Sequence, residues 1–308
     1  MSKLYPRRIV QLLLVLLFTF SASGALFAAG QTSLDAIDFR QIEEYAQFAN
    51  AVYQTEAEIR KLGAQRHYTL SRYATIPELE IAYYLLTDSK AGTHVIAVRG
   101  TSNVENALVD VDLQLKTDPQ AGIRLHSGFS LAAQKIYQDF KPLLQKDYTI
   151  STTGHSLGGA VALILAHYLD VDHFRVSRVI TFGQPKVTNI AGAEQLDHLH
   201  VIRVVTAKDL VPLVPLFDPM DIKNLDIYWH AGKELILLPD SRYALLDGLN
   251  SMLRATKFTQ EPLARDNLQN HQMALYLDLV NAKLAGATLV PFETSLNLFN
   301  LFGGDKQP

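Results

Sequence analysis

Ser156, Asp209, His271 and Thr101 are the residues whose types and order point to chemistry. Gly154-His155-Ser156-Leu157-Gly158 sets a serine between two glycines. A serine hydroxyl is a poor nucleophile at neutral pH until a neighbouring base takes its proton. The five-residue pattern is short, so its surroundings decide its meaning. Before it runs ISTT, strand-like; after it runs GGAVALILAHYL, apolar and of helical length. A serine on a sharp strand-to-helix turn stands clear of the sheet, and glycines flank it because side chains there would collide with strand or helix. Ser156 therefore reads as the nucleophile of a covalent acyl transfer.

The base must be one of ten histidines. On a strand-turn-helix nucleophile the partners follow in the order Ser, acid, His, which sets aside His67, His94, His126 and His155. His155 adjoins the serine, where neighbouring side chains diverge at the turn. His167 and His173 come too soon after the nucleophile helix, and His198 and His200 flank a strand. Asp209 lies just past the apolar run Val201 to Val205, in a loop suited to the acid. Asp218, Asp221 and Asp226 read as turn or solvated carboxylates. Beyond Asp209, His230 sits inside the strand-like DIYWHAGKELIL and reads as a packed histidine. His271, in RDNLQNHQMALYL, opens a helix after the last strand, where the base is expected. The developing oxyanion needs donors: the Leu157 N–H after the nucleophile, and Thr101, which follows the strand VIAVRG and offers both its N–H and its hydroxyl.

These groups need a scaffold that brings strand ends together. Asp35 to Glu58 has the apolar spacing of an amphipathic helix. HYTLSRYA, LEIAYYLLT and THVIAVRG read as strands, the last with the unbroken Val95-Ile96-Ala97-Val98 of a strand buried on both faces. Leu131 to Leu144 reads as a helix, DYTISTTGHS as the strand before the serine and Ala160 to Leu169 as the helix after it. RVSRVITFG and LHVIRVV are further strands, joined by a polar connection from Asn189 to Asp197. DIYWHAG and KELILLP are short strands, and Asp266 to Leu284 is a closing helix. Alternating strands and helices predict an α/β class with a mostly parallel central sheet and helices on both faces.

The 308 residues are 48% hydrophobic and 19% charged, as in a folded globular chain, with net charge -3. That charge gives no reason to expect a nucleic-acid partner. Without cysteine, disulfides, thiolate metal sites, thiol catalysis and lipid attachment through cysteine are excluded. Lys3, Arg7 and Arg8 precede the apolar Ile9 to Phe20 and a small-residue stretch to Gly30, the pattern of an export signal over residues 1–29, or of an anchor if uncleaved. The expected domain spans 30–285. Residues 286–308 form an unusually apolar tail, read as docked on the body, with membrane or partner contact as the other reading.

Together AVRGT, LHSGF, GHSLGGA, TFGQPKVTN, VVTAKDLVPLVP, YWHAGKEL and the late His271 with Tyr276 resemble the class 3 lipase family, in that family's order. The resemblance implies an α/β-hydrolase fold and a lipid ester substrate, most of all triacylglycerol, cleaved by Ser156, Asp209 and His271 with Thr101 at the oxyanion, and no cofactor or metal. It assigns His230 and His126 to structural blocks. It implies a lid over Ser102–Leu115, where Val104, Ala107 and Leu108 would line an acyl channel or meet lipid. The family's Pro-Arg-Val-Gly-Asn reads Pro185-Lys186-Val187-Thr188-Asn189 here. Phospholipase A1, a short-chain carboxylesterase, and a non-catalytic membrane-binding protein on a hydrolase scaffold are the alternatives.

Overall fold

The computed structural model describes residues 37–100, 114–215, 226–257 and 269–292, without the side chains of 249, 253 and 255–257. Thr101, nearly all of the expected lid, the export signal and the tail beyond residue 292 lie outside the described residues. Every element described lies within residues 39–308.

The first expected helix is two. Phe39–Ala51 stops short, and Glu56–Gln65 starts afresh at Thr55. Thr55 forms a reciprocal capping box with Glu58, whose carboxylate accepts the Thr55 N–H at 2.9 Å. Three strands follow, β1 (Thr69–Ile76), β2 (Ile81–Asp88) and β3 (Thr93–Val98). A small antiparallel pair, β4 (Leu115–Thr117) and β5 (Arg124–His126), leads to the helix Ser127–Phe140. That helix begins four residues before the predicted Leu131 and gives way to a 3-10 turn at Lys141–Leu143, because Pro142 has no N–H for an α-helical bond.

Then come β6 (Thr149–His155), the helix Leu157–Val171 and β7 (Arg175–Phe182). The two-residue β8 (Thr188–Asn189) runs into a helix at Ile190–Leu196, where a polar connection was expected. Asn189 makes that helix possible, its side chain accepting the Gly192 N–H at 2.9 Å. The chain continues through β9 (Val201–Thr206), β10 (Tyr228–Trp229), β11 (Lys233–Leu237) and β12 (Arg242–Leu246) to the helix Gly248–Lys257. The helix Met273–Asn281 and β13 (Thr288–Leu289) complete it.

The main sheet has the order β1-β2-β3-β6-β7-β9-β11-β12-β13, and its centre, β3-β6-β7-β9-β11, is parallel throughout. The short strands β10-β8-β5-β4 form a separate sheet. Strand β3 is buried on both faces as predicted. Ile96 and Val98 pack with the helices Ser127–Phe140 and Leu157–Val171, while Val95 and Ala97 pack with Phe48 and Ile59 from the two N-terminal helices and with Val52 between them. Leu157–Val171 is buried from Gly158 to Leu169, as befits a helix apolar all round. The start of the expected tail joins the body: β13 pairs with β12, and Phe292 packs against the cluster of Val205 and Ile236.

Parallel strands point their carboxyl ends to one edge. Val98 lies level with Gly154, His155 with Phe182, and Phe182 with Val204. The turns after β3, β6, β7 and β9 thus meet in one place, where open α/β sheets form their clefts.

Candidate active site

Ser156 leaves β6 with φ 59° and ψ −134°, a conformation rarely taken by L-residues that costs on the order of 1–3 kcal/mol. Its N–H donates to Phe182 O at 2.9 Å, fixing the turn to the end of β7. Serine at a helix N-cap ordinarily accepts a first-turn N–H. Here the side chain makes no such bond, so the hydroxyl serves no capping role. The Leu157 N–H opens the helix and belongs to its first-turn donors, which have no acceptor within the helix.

The turn is built on glycines. A Cβ on Gly154 would stand 2.4 Å from Gly158 O, and one on Gly158 would stand 2.2 Å from Val98 O. A Cβ on Gly100 would lie 3.0 Å from Ser156 Cβ and 2.8 Å from His155 O. The strand end before Thr101 therefore lies directly against the serine turn. Thr101 itself is outside the described residues.

Asp209 and His271 come together from 62 residues apart, His271 Nδ1 lying 2.7 Å from Asp209 Oδ2. The same oxygen accepts the Tyr276 hydroxyl at 2.5 Å, and Oδ1 accepts the Val211 N–H at 2.9 Å. Three donors around one carboxylate fix its orientation. With Nδ1 donating to Asp209, the other ring nitrogen, Nε2, carries the lone pair, and it is buried without a hydrogen-bond partner. Ser156, Asp209 and His271 are 2%, 0% and 3% exposed. Gly183, the residue after the carbonyl that holds Ser156, has φ +60°, and a Cβ there would meet His271 Cε1 at 2.7 Å and Asp209 Oδ2 at 3.0 Å. One short loop therefore touches both the serine turn and the histidine–aspartate pair.

The loop Asp209–Pro215 is pinned from behind. His230 Nε2 donates to Pro212 O at 2.7 Å and Lys186 Nζ to Leu213 O at 2.7 Å. Burial pushes Lys186 down to about 7, and burial with the nearby Arg203 and Lys186 holds His230 well below the ordinary histidine value. His230 is thus a packed histidine, as its strand-like setting predicted. His126, buried and stacked on Phe129 at 3.9 Å, is likewise packed. Beneath the loop, Glu234 pairs with Arg203 and Arg254, all three buried.

Two features differ from the sequence expectation. The closing helix is not continuous over Asp266 to Leu284: among the described residues it starts at Met273 and ends at Asn281. The carbonyls just before it are engaged elsewhere. Asn270 O accepts the Thr206 hydroxyl at 3.0 Å, and His271 O accepts from His155 Nε2 at 2.7 Å. His271 therefore sits on a bent segment, two residues ahead of the helix. The second is His155. It is not placed as the base, yet its ring lies 4.6 Å from that of His271, between centroids. Adjacency to Ser156 was the only sequence signal for it.

Residues 95–218 match the family described as Lipase (class 3). This span holds Ser156 and Asp209 but not His271, so geometry alone adds the histidine. A lipase of Rhizopus niveus is 30% identical over 145 residues, covering 43% of this chain and 37% of its own length. The secreted mono- and diacylglycerol lipase 1 of Fusarium solani is 36% identical over 116 residues, 35% of this chain and 34% of its own. The chain thus spans little more than a third of the length of the curated relatives it matches. In structure it resembles the Lip2 lipase of Yarrowia lipolytica, with TM-score 0.56 and 25% identity over 66% of this chain and 80% of that one. The sequence match runs from the buried strand before Gly100 through the serine turn to the acid loop, and the fold carries the likeness across the sheet. Over residues 95–218 the chain is similar to the class 3 lipase family.

Proposed function

We propose that this protein hydrolyses carboxylic esters of lipids, triacylglycerol foremost, through an acyl-enzyme on Ser156. The observation that carries the reading is the orientation of His271, with Nδ1 on Asp209, a buried, unpartnered Nε2, and its ring 4.6 Å from that of His155, the residue before a serine whose hydroxyl caps nothing. Ser156 Oγ attacks the ester carbonyl while His271 Nε2 takes its proton, and Asp209 orients and stabilises the imidazolium. The Leu157 N–H and Thr101 hold the oxyanion, each donor worth roughly 3 kcal/mol of barrier. As the tetrahedral intermediate collapses, His271 returns the proton to the leaving alkoxide. Water then attacks the acyl-enzyme, His271 again accepting a proton, and the fatty acid departs with Ser156 restored.

Export is part of the proposal. The basic start and apolar run over residues 1–29 support it, as does the secreted Fusarium relative. Among the described residues no helix is long and apolar enough to cross a membrane. Contact with a lipid surface through Ser102–Leu115 and the tail is proposed from sequence alone.

The test is a panel of triacylglycerol, phospholipid and short p-nitrophenyl esters, run beside fluorophosphonate labelling of wild type and Ser156→Ala. Labelling and hydrolysis that vanish together in the variant support the site. Hydrolysis undiminished in Ser156→Ala refutes it. Cleavage confined to phospholipid or to the short esters refutes the triacylglycerol assignment while leaving the hydrolase in place.

A further inference from the structure

His155 has two partners, and they fix its tautomer. Nε2 faces His271 O at 2.7 Å; a carbonyl can only accept, so Nε2 carries the hydrogen. Nδ1 is then the lone-pair nitrogen, and it lies 2.9 Å from the Tyr53 hydroxyl, which donates to it. Tyr53 is 37% exposed, its ring edge-on to that of His155 with centroids 5.9 Å apart. Hydrogen bonds therefore run from Tyr53 through the His155 ring to the main chain of His271.

His271 needs such a hold. It lies outside the helix Met273–Asn281, and the N-cap residue Gln272 makes no side-chain capping bond. Besides the Gln272 N–H on Gln269 O and the Leu275 and Tyr276 N–H groups on Gln272 O, the Thr206 hydroxyl holds Asn270 O, and the His155 ring holds the carbonyl of His271 itself. Asp209 restrains the ring only at Nδ1. A ring anchored at one nitrogen can still swing about that bond unless its backbone is fixed.

We propose that His155 and Tyr53 are positioning residues for the base, with Tyr53 fixing the His155 ring so that its Nε2–H holds the carbonyl of His271 and aims Nε2 of His271 at Ser156. This rests on reading His271 as the base. The two halves of His155 are separable. Gln places an amide N–H near the position of the imidazole Nε2, whereas Asn places an oxygen near that of Nδ1. His155→Gln keeps the hold on His271, and His155→Asn keeps only the bond to Tyr53. The expectation is that His155→Gln retains at least about a third of the wild-type kcat on a short p-nitrophenyl ester, while His155→Asn falls about 10-fold or more with KM within about twofold. Tyr53→Phe keeps the ring and loses the donor, and its kcat falls about threefold with KM held. Each rate is taken per site titrated with fluorophosphonate, so a misfolded fraction does not count, and Tm is measured alongside. Equal kcat for His155→Asn and His155→Gln, losses confined to KM, or losses that follow Tm across the three variants overturn the proposal. If Ser156→Ala, run in parallel, keeps its activity, the nucleophile assignment fails instead, whatever the His155 variants do.

Discussion

Gly183→Ala puts the shared loop to a quantitative test. The new Cβ would stand 2.7 Å from His271 Cε1 and 3.0 Å from Asp209 Oδ2, whereas carbon atoms rest about 3.5–4.0 Å apart. The imidazole must therefore retreat by roughly 1 Å, a displacement able to cost about 10²-fold in rate, or about 2.7 kcal/mol of barrier. The φ of +60° adds a left-handed penalty to the fold of roughly 1–2 kcal/mol. Gly122 separates the two effects, since it has φ +70° and a methyl added there would meet nothing within 4 Å. Gly122→Ala should lose similar stability and keep its kcat. The assay is kcat on a short p-nitrophenyl ester beside urea unfolding for both variants. Gly183→Ala with kcat within about threefold of wild type while folded would refute the claim that this loop sets the position of the base; so would an equal loss of kcat in Gly122→Ala.

Two further outcomes follow from the site. His155 and His230 are held well below the ordinary histidine value, in both cases first by burial, so they are neutral in the fold and take up protons on unfolding at acid pH. Their contribution to stability is complete above about 6.5 and is lost as pH falls below it, by on the order of 1 kcal/mol each at pH 5.5. Urea unfolding at pH 7.5 and 5.5 should show the combined loss, and His230→Gln should remove about half of it; a flat profile contradicts the assignment. Tyr276→Phe removes the 2.5 Å donor to the Asp209 oxygen that also serves His271. A hydrogen bond to a charged group is worth about 1.5–3 kcal/mol, so kcat should fall about 10-fold with KM held, and unchanged kinetics would show that His271 alone suffices to orient the carboxylate.

Much of this arrangement was legible because its signals are local. The unbroken apolar run of β3 and the glycines around Ser156 each declare their setting within a few residues. Asp209 and His271 followed from order along the chain and from the ends of apolar runs. What escaped depends on distant partners. His155 adjoins Ser156, yet its ring reaches a carbonyl 116 residues on, and no spacing rule encodes that contact. The break ahead of Met273 is invisible in NLQNHQMALYL because nothing there stops a helix; the Thr206 hydroxyl and the His155 ring engage its carbonyls from outside. The small sheet includes strands of two and three residues, too short to show an alternating period. The helix Ile190–Leu196 was masked by its polar composition, although Asn189 gave it a cap.

The separations along the chain carry a last consequence, for how the molecule acquires activity as it folds. Ser156 is shaped by neighbours on β6 and β7, whereas His271 reaches Asp209 across 62 residues and His155 across 116. Closing such loops costs chain entropy before any contact rewards it, and parallel pairings form slowly for that reason. His271 is thus set in place only when the last described helix docks on a sheet already assembled. On the proposed reading, ester hydrolysis should return on dilution from denaturant after the helical signal, not with it.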